Sequence, residues 1–224
     1  MGTLTEDGLH AVCSAIDARQ NILISGGTGT GKTTLLNALV ARFPPKDRII
    51  VIEDTAELQL ETENLIRFEA RRAQPGLPPV TVRDLVRASL RHRPNRILIG
   101  EVRGGEAFDL LQALNTGHSG TLSTIHANSA EQALNRFTSC VLLSGVELPY
   151  AAIRHSIADC LQFLIHLERR EGQRVVTELR LVRQYEPETH RYQLESVGCP
   201  SCEPQAEAEA PPTTVNDLSN VHAA

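Results

Sequence analysis

The sequence has 224 residues, 41% hydrophobic and 22% charged, enough for one substantial domain with a proper core or two small ones. A formal net charge of −5 excludes a protein that coats nucleic acid non-specifically, although a local basic stripe stays open. No apolar run reaches membrane-spanning length and no basic-then-apolar signal peptide begins the chain, so a cytosolic domain is expected, with its five cysteines reduced.

In chain order, Leu9, Val12 and Ile16 give residues 5–19 a helical spacing, and Ile22, Leu23 and Ile24 read as the first strand. A helix over 32–42 stops at Pro44-Pro45, and the apolar strand 49–52 ends at Glu53-Asp54. A short strand is predicted at 65–68 and a proline-rich loop at 74–79. Thr81 caps an amphipathic helix over 81–91, with Asp84 three residues on. Strand 97–99 again leads to a carboxylate, Glu101. Then come helix 106–114, strand 120–125, helices 130–143 and 150–158, and strands 160–167, 175–182 and 192–195, with Gly172 turning between the first two of these.

Short, wholly apolar strands alternating with amphipathic helices predict an α/β fold. The expected sheet is mainly parallel, with helices on both faces and an antiparallel addition at its C-terminal edge. From about Val197 large apolar residues give way to Pro, Ala and Glu, so residues 1–197 read as one domain and 198–224 as a disordered tail. Cys199 and Cys202 in that tail have zinc-knuckle spacing, but no second pair follows to complete four ligands.

The run ISGGTGTGKTT, residues 24–34, places Gly26, Gly27, Gly29 and Gly31 where a strand-to-helix turn needs only one or two glycines. With Thr28, Thr30, Lys32, Thr33 and Thr34 they form a phosphate-binding loop pattern. Its glycines let successive N–H groups wrap a phosphate, and the following helix aims its positive dipole end at the same anion. Lys32, solvent-facing at the helix start, reaches the β- and γ-phosphates, and the Thr33 hydroxyl can ligate Mg²⁺. The loop is expected to bind a nucleoside triphosphate.

Ligands of open α/β sheets lie beyond the carboxyl ends of the strands, and two apolar strands here end in acid, at Glu53 and Glu101. Hydrolysis needs one carboxylate to orient water and an acid to fix the Mg²⁺ shell, through water if need be. Gly100 would let Glu101 sit close to the phosphates. His126, between a strand and a helix start, belongs at the same sheet end and can sense a γ-phosphate as a neutral imidazole. His118, between two glycines, is placed less securely. Of the many arginines between 67 and 103, most read as solvated helix faces, with one or two reaching a neighbouring subunit's phosphate.

Together the motifs GGTGTGKTT, VIEDTAEL, RPNRILIGEVRGGEA and NTGHSGTLSTIHANSAEQALNR, in this order, resemble the type II/IV secretion-system ATPase family over about residues 5–196. The flanking residues look most like the branch serving conjugative transfer, type IV secretion and tight-adherence pili. The resemblance implies a RecA-like P-loop NTPase motor domain that hydrolyses ATP with Mg²⁺ as a hexameric ring. Such a ring sits on the cytoplasmic face of the inner membrane, beside membrane components of the secretion or pilus machine and with no direct nucleic-acid partner. Carried over, Lys32 and Thr33 hold nucleotide and metal, Glu53 and Glu101 serve water activation and Mg²⁺, and His126 couples the γ-phosphate to movement. Family members carry an N-terminal domain, whereas about twenty residues precede the first strand here. The expectation is a fragment, a truncated start or a partner that supplies the other half. Two rival readings are a RecA-like nucleic-acid motor, against which the acidic charge and 4% aromatics speak, and an ATP-binding assembly module with little hydrolysis.

Overall fold

The computed structural model describes residues 3–198; of the tail expected over 198–224, Gly198 is described, its carbonyl accepting from Thr5 Oγ1 at 2.6 Å, and the rest, with Cys199 and Cys202, lies outside the described residues. The elements run α1 Glu6–Asp17, β1 Ile22–Gly26, α2 Lys32–Val40, β2 Ile49–Glu53, β3 Leu65–Glu69 and α3 Val82–Ser89. After a 3₁₀ turn at Leu90–His92 come β4 Arg96–Ile99, α4 Glu106–Asn115, β5 Leu122–Ile125, α5 Ala130–Leu142 and α6 Tyr150–Cys160. The chain closes with β6 Phe163–Arg170, β7 Gln173–Glu186 and β8 Arg191–Ser196.

The strands form one sheet in the order β3-β2-β4-β5-β1-β6-β7-β8. Neighbours from β3 through β6 are parallel, and β7 and β8 add antiparallel at the edge. This is the RecA-like α/β architecture, with helices on both faces. Period two explains why its strands are apolar throughout. Leu23, Ile50 and Ile52 pack with α3–α6 on one face, while Ile22, Ile24, Ile49 and Val51 pack with α1 and α2 on the other. No described helix is long and apolar enough to cross a membrane.

Local signals hold at the helix starts. Thr81 and Asp84 form a reciprocal capping box, and the Thr5 and Ser129 hydroxyls accept from Gly8 N and Gln132 N. Glu171 and Gly172 both have positive φ, 51° and 82°, as a tight hairpin turn requires. The differences lie at the C-terminal edge. The strand expected at 175–182 is fourteen residues long, because register shifts between His166 and Leu167 and between Val182 and Gln184 break its alternation. The strand expected from 160 begins at Phe163, and α6 runs on to Cys160, whose carbonyl accepts from Asn21 Nδ2 at 2.7 Å. Helix 32–42 stops at Val40, as Arg42 N and Phe43 N bond back only three residues.

Because β1, β2, β4 and β5 run in the same direction, Gly26, Glu53, Glu101 and His126 all emerge at one end of the sheet.

Candidate active site

The loop between β1 and α2 turns on left-handed glycines. Gly31, the residue before the helix, has φ 95°, a conformation that disfavours any β-carbon. At Gly26 a Cβ would lie 2.5 Å from the Leu167 carbonyl oxygen and 2.6 Å from Thr30 Oγ1. Thr30 is buried and its hydroxyl donates to Gly27 O at 2.9 Å, stiffening the loop. Thr28 and Gly29 are exposed at its crest, and Thr34 is exposed in the first turn of α2.

Lys32 is not solvent-facing as its position suggests. It is buried, with Nζ donating to the carbonyls of Gly26 at 3.0 Å and Gly27 at 2.9 Å. Burial lowers its pKa, and the nearby Glu101 charge opposes that shift. The loop therefore folds around its own ammonium group, with the cation aligned on the backbone that would cradle an anion.

A cleft of about 210 Å³ opens beside Lys32 and is lined by Thr33, Glu53, Asp54, Glu57, Glu101, Arg103 and His126. The two strand-end glutamates differ in kind. Glu53 is buried, and its Oε1 accepts from Glu57 N and Leu58 N, both at 2.9 Å. Its Oε2 lies 4.0 Å from Arg67 on β3, which also donates to Leu58 O at 2.6 Å. Glu53 thus pins the segment 54–58, which brings Glu57 Oε2 to 3.4 Å from the Thr33 hydroxyl. Glu101 stands in the open cleft, Oε1 2.9 Å from His126 Nε2 and Oε2 2.5 Å from Arg103. Arg103 also reaches Asp54 at 2.5 Å, so one guanidinium bridges the carboxyl ends of β2 and β4. The hydrogen bond to Glu101 raises the Arg103 pKa.

Expectation and structure part at several residues. His118, which the sequence left unassigned, follows α4 and precedes β5 at the opposite end of the sheet, where its Nδ1 is 3.1 Å from Ala113 O. Arg83 and Arg87 both clamp Asp109 at 2.6 Å and tie α3 to α4, so neither is a free helix-face charge. Asp54 stands at the strand end that the sequence marks as acidic, whereas Glu57 and the bridging geometry of Arg103 emerge only in the folded chain. The acids at 53, 54 and 57 are contiguous enough in sequence to have marked a loop returning to the site.

The oxygen-rich donor set of Thr33, Glu57 and Glu101 suits a hard cation. Among the described residues no cluster of three or more His, Cys, Asp or Glu could hold a metal by itself. Few protein ligands supplemented by phosphate oxygens is the coordination habit of Mg²⁺, so the residues fit that ion.

Comparison with known proteins gives a consistent result. The model of the family described as type II/IV secretion system protein matches residues 2–213. A Mycobacterium tuberculosis protein provisionally named for conjugal transfer is 45% identical over 187 residues, 83% of this chain and 53% of that protein. The Bordetella pertussis type IV secretion system protein PtlH is 44% identical over 71% of this chain and 48% of its own length. Among solved structures, the VirB11 ATPase of the Brucella suis type IV secretion system, in complex with sulphate, matches with a TM-score of 0.71 and 32% identity, over 77% of this chain and 51% of that one. The chain spans about half the length of the relatives it matches.

Proposed function

The chain belongs to the type II/IV secretion system protein family, and from that premise we propose that it binds ATP at the glycine loop and hydrolyses it to power a secretion, conjugative-transfer or pilus-assembly machine. The observation that carries this reading is the convergence of Lys32, Thr33, Glu101 and His126 on one cleft from separate strand ends.

In this proposal the N–H groups of residues 26–34 and the Lys32 ammonium hold the polyphosphate, with Thr33 and Glu101 on the side of the metal. Mg²⁺, when bound, supplies neutralisation of the negative charge on the phosphate oxygens. Water attacks the γ-phosphorus as the bond to the β-bridging oxygen breaks, and ADP leaves. Glu101 accepts the hydrogen bond of that water and orients it, while Arg103 and His126 fix the carboxylate from either side. Glu53 acts as a positioning residue: it is buried, its Oε1 holds two backbone N–H groups, and its Oε2 is turned toward Arg67 at 4.0 Å. His126 stands just before α5 and links the state of the γ-phosphate to movement of that helix. The proposal extends to a hexameric ring, peripheral to the cytoplasmic side of the inner membrane, that contacts membrane components of the machine and no nucleic acid directly.

The test is steady-state phosphate release from Mg-ATP by the parental chain and by Lys32→Ala, with circular dichroism to follow folding because Lys32 is buried. The parent is expected to release phosphate, and folded Lys32→Ala is expected to bind ATP too weakly to turn it over. Equal release by a folded Lys32→Ala would overturn the site. Sedimentation with a non-hydrolysable ATP analogue tests the ring, which a persistent monomer would exclude.

A further inference from the structure

We propose that Arg174, in the hairpin at the C-terminal edge of the sheet, is a second cation of the nucleotide site and contacts the phosphate nearest the nucleoside. The inference rests on the reading above that the glycine loop holds a nucleotide.

The sheet order dictates where the two ends of a polyphosphate must lie. β5, β4 and β2 stand on one side of β1, and their ends carry His126, Glu101 and Glu53. That flank handles the terminal phosphate. β6 and β7 stand on the other side of β1, so a chain of phosphates laid across the loop has its nucleoside end toward the β6–β7 hairpin. Arg174 is the second residue of β7, and its stem lies directly on the loop. A Cβ on Gly31 would meet Arg174 Cδ at 2.9 Å and Nε at 3.7 Å. The guanidinium therefore stands beside the residue that precedes Lys32, within a side chain's reach of any phosphate held by the loop.

Its charge environment points the same way. Three arginines of these strands are paired, Arg170 with Glu168, Arg180 with Glu178 and Arg183 with Glu195. Arg174 is exposed, and its ladder partner across β6 is another arginine, Arg169. Like charges directly opposite on a sheet are unfavourable by themselves, and an anion at the adjacent loop would relieve them. Arginine, with a planar fork of donors, suits phosphate oxygens.

The experiment is calorimetric titration of the full chain with Mg-ADP and Mg-ATP, for the parent, Arg174→Ala, Arg174→Lys and Lys32→Ala. Arg174→Ala is expected to weaken ADP and ATP by the same factor, about tenfold, the scale of a hydrogen bond to a charged group. Arg174→Lys, which keeps the charge, is expected to lose less. Parental ADP affinity in folded Arg174→Ala, alongside strong weakening by Lys32→Ala, would overturn the inference and leave the loop reading intact. A loss for ATP with none for ADP would also overturn it, since the contact would then be to the γ-phosphate. Parental ADP binding by folded Lys32→Ala would remove the loop reading and this inference with it.

Discussion

At the two ends of the sheet stand two arginine–carboxylate networks built from the same chemistry. Arg96, at the amino end of β4, is almost wholly buried, its Nε 2.8 Å from Asp47 and its Nη2 3.2 Å from Ile16 O. Its guanidinium lies 4.1 Å over the Phe43 ring, and a side chain on Gly120 would strike its Nη1 at 2.9 Å. Arg103, just past the carboxyl end of the same strand, is 61% exposed at its side chain and bridges Asp54 and Glu101. Arg96 joins the end of α1, the approach to β2 and the start of β4, and water cannot replace those partners. Arg103 holds carboxylates that face an open cleft, where water or a ligand can compete for them. Burial makes the first network part of the fold, and exposure leaves the second able to exchange partners during a reaction.

The contrast is broken most directly at Arg96. Arg96→Ala leaves the buried Asp47 charge with only the longer, 3.9 Å contact to Arg19 and is expected to cost about 3 kcal/mol of stability. Urea unfolding measures this, and a parental midpoint would mean that the two networks are equivalent.

At the other end the expected loss is in turnover. Glu101→Gln is expected to keep ATP binding and lose hydrolysis by about 10²-fold. Glu53→Gln keeps an amide oxygen to accept from Glu57 N and Leu58 N, so its loss is expected to stay below about tenfold, whereas Glu53→Ala leaves those donors bare at a cost of about 1–3 kcal/mol. A Glu53→Gln loss as deep as that of Glu101→Gln would restore a direct water-activating role to Glu53.

Arg103→Ala sharpens the comparison from the stability side. Its guanidinium is in solvent and Glu101 keeps His126 as a partner, so unfolding free energy is expected to change by less than about 1 kcal/mol while turnover falls. A loss as large as that of Arg96→Ala would show that exposure is a poor guide to which network the fold needs.

The smallest effect concerns His166, buried behind the phosphate loop with Nδ1 2.8 Å from Ser25 Oγ. Burial lowers its pKa, opposed by Glu178 and Glu168, while Lys32 lowers it further. With the folded value below the unfolded one, the unfolded chain takes up the proton first as pH falls. Stability from this group is therefore complete above about pH 6.5, the unfolded value, and is lost as pH drops toward the folded pKa. Thermal melting of the parent and His166→Gln from pH 7.5 to 5 is expected to show a shallower decline in the variant; parallel curves would remove His166 from the account.

The glycine loop, the apolar strands, the Thr81 cap and the acids at strand ends were legible because each depends on neighbours within a few residues. Spacing, dipole direction and side-chain alternation need no knowledge of the rest of the chain. Parallel strands then carried Glu101 and His126 to one end without further information. What only the tertiary structure decided was which atoms are already taken. One of Glu53's two carboxylate oxygens goes to a backbone turn four residues on, Lys32 is folded into its own loop, and Arg103 pairs across 49 residues with Asp54. Arg174 meets Gly31 because β1 pairs with β6, more than a hundred residues away, and the β6–β7 hairpin then folds back beside it. Hydrogen bonding and burial are set by three-dimensional register, and linear spacing carries no record of that register once strands far apart in the chain lie side by side.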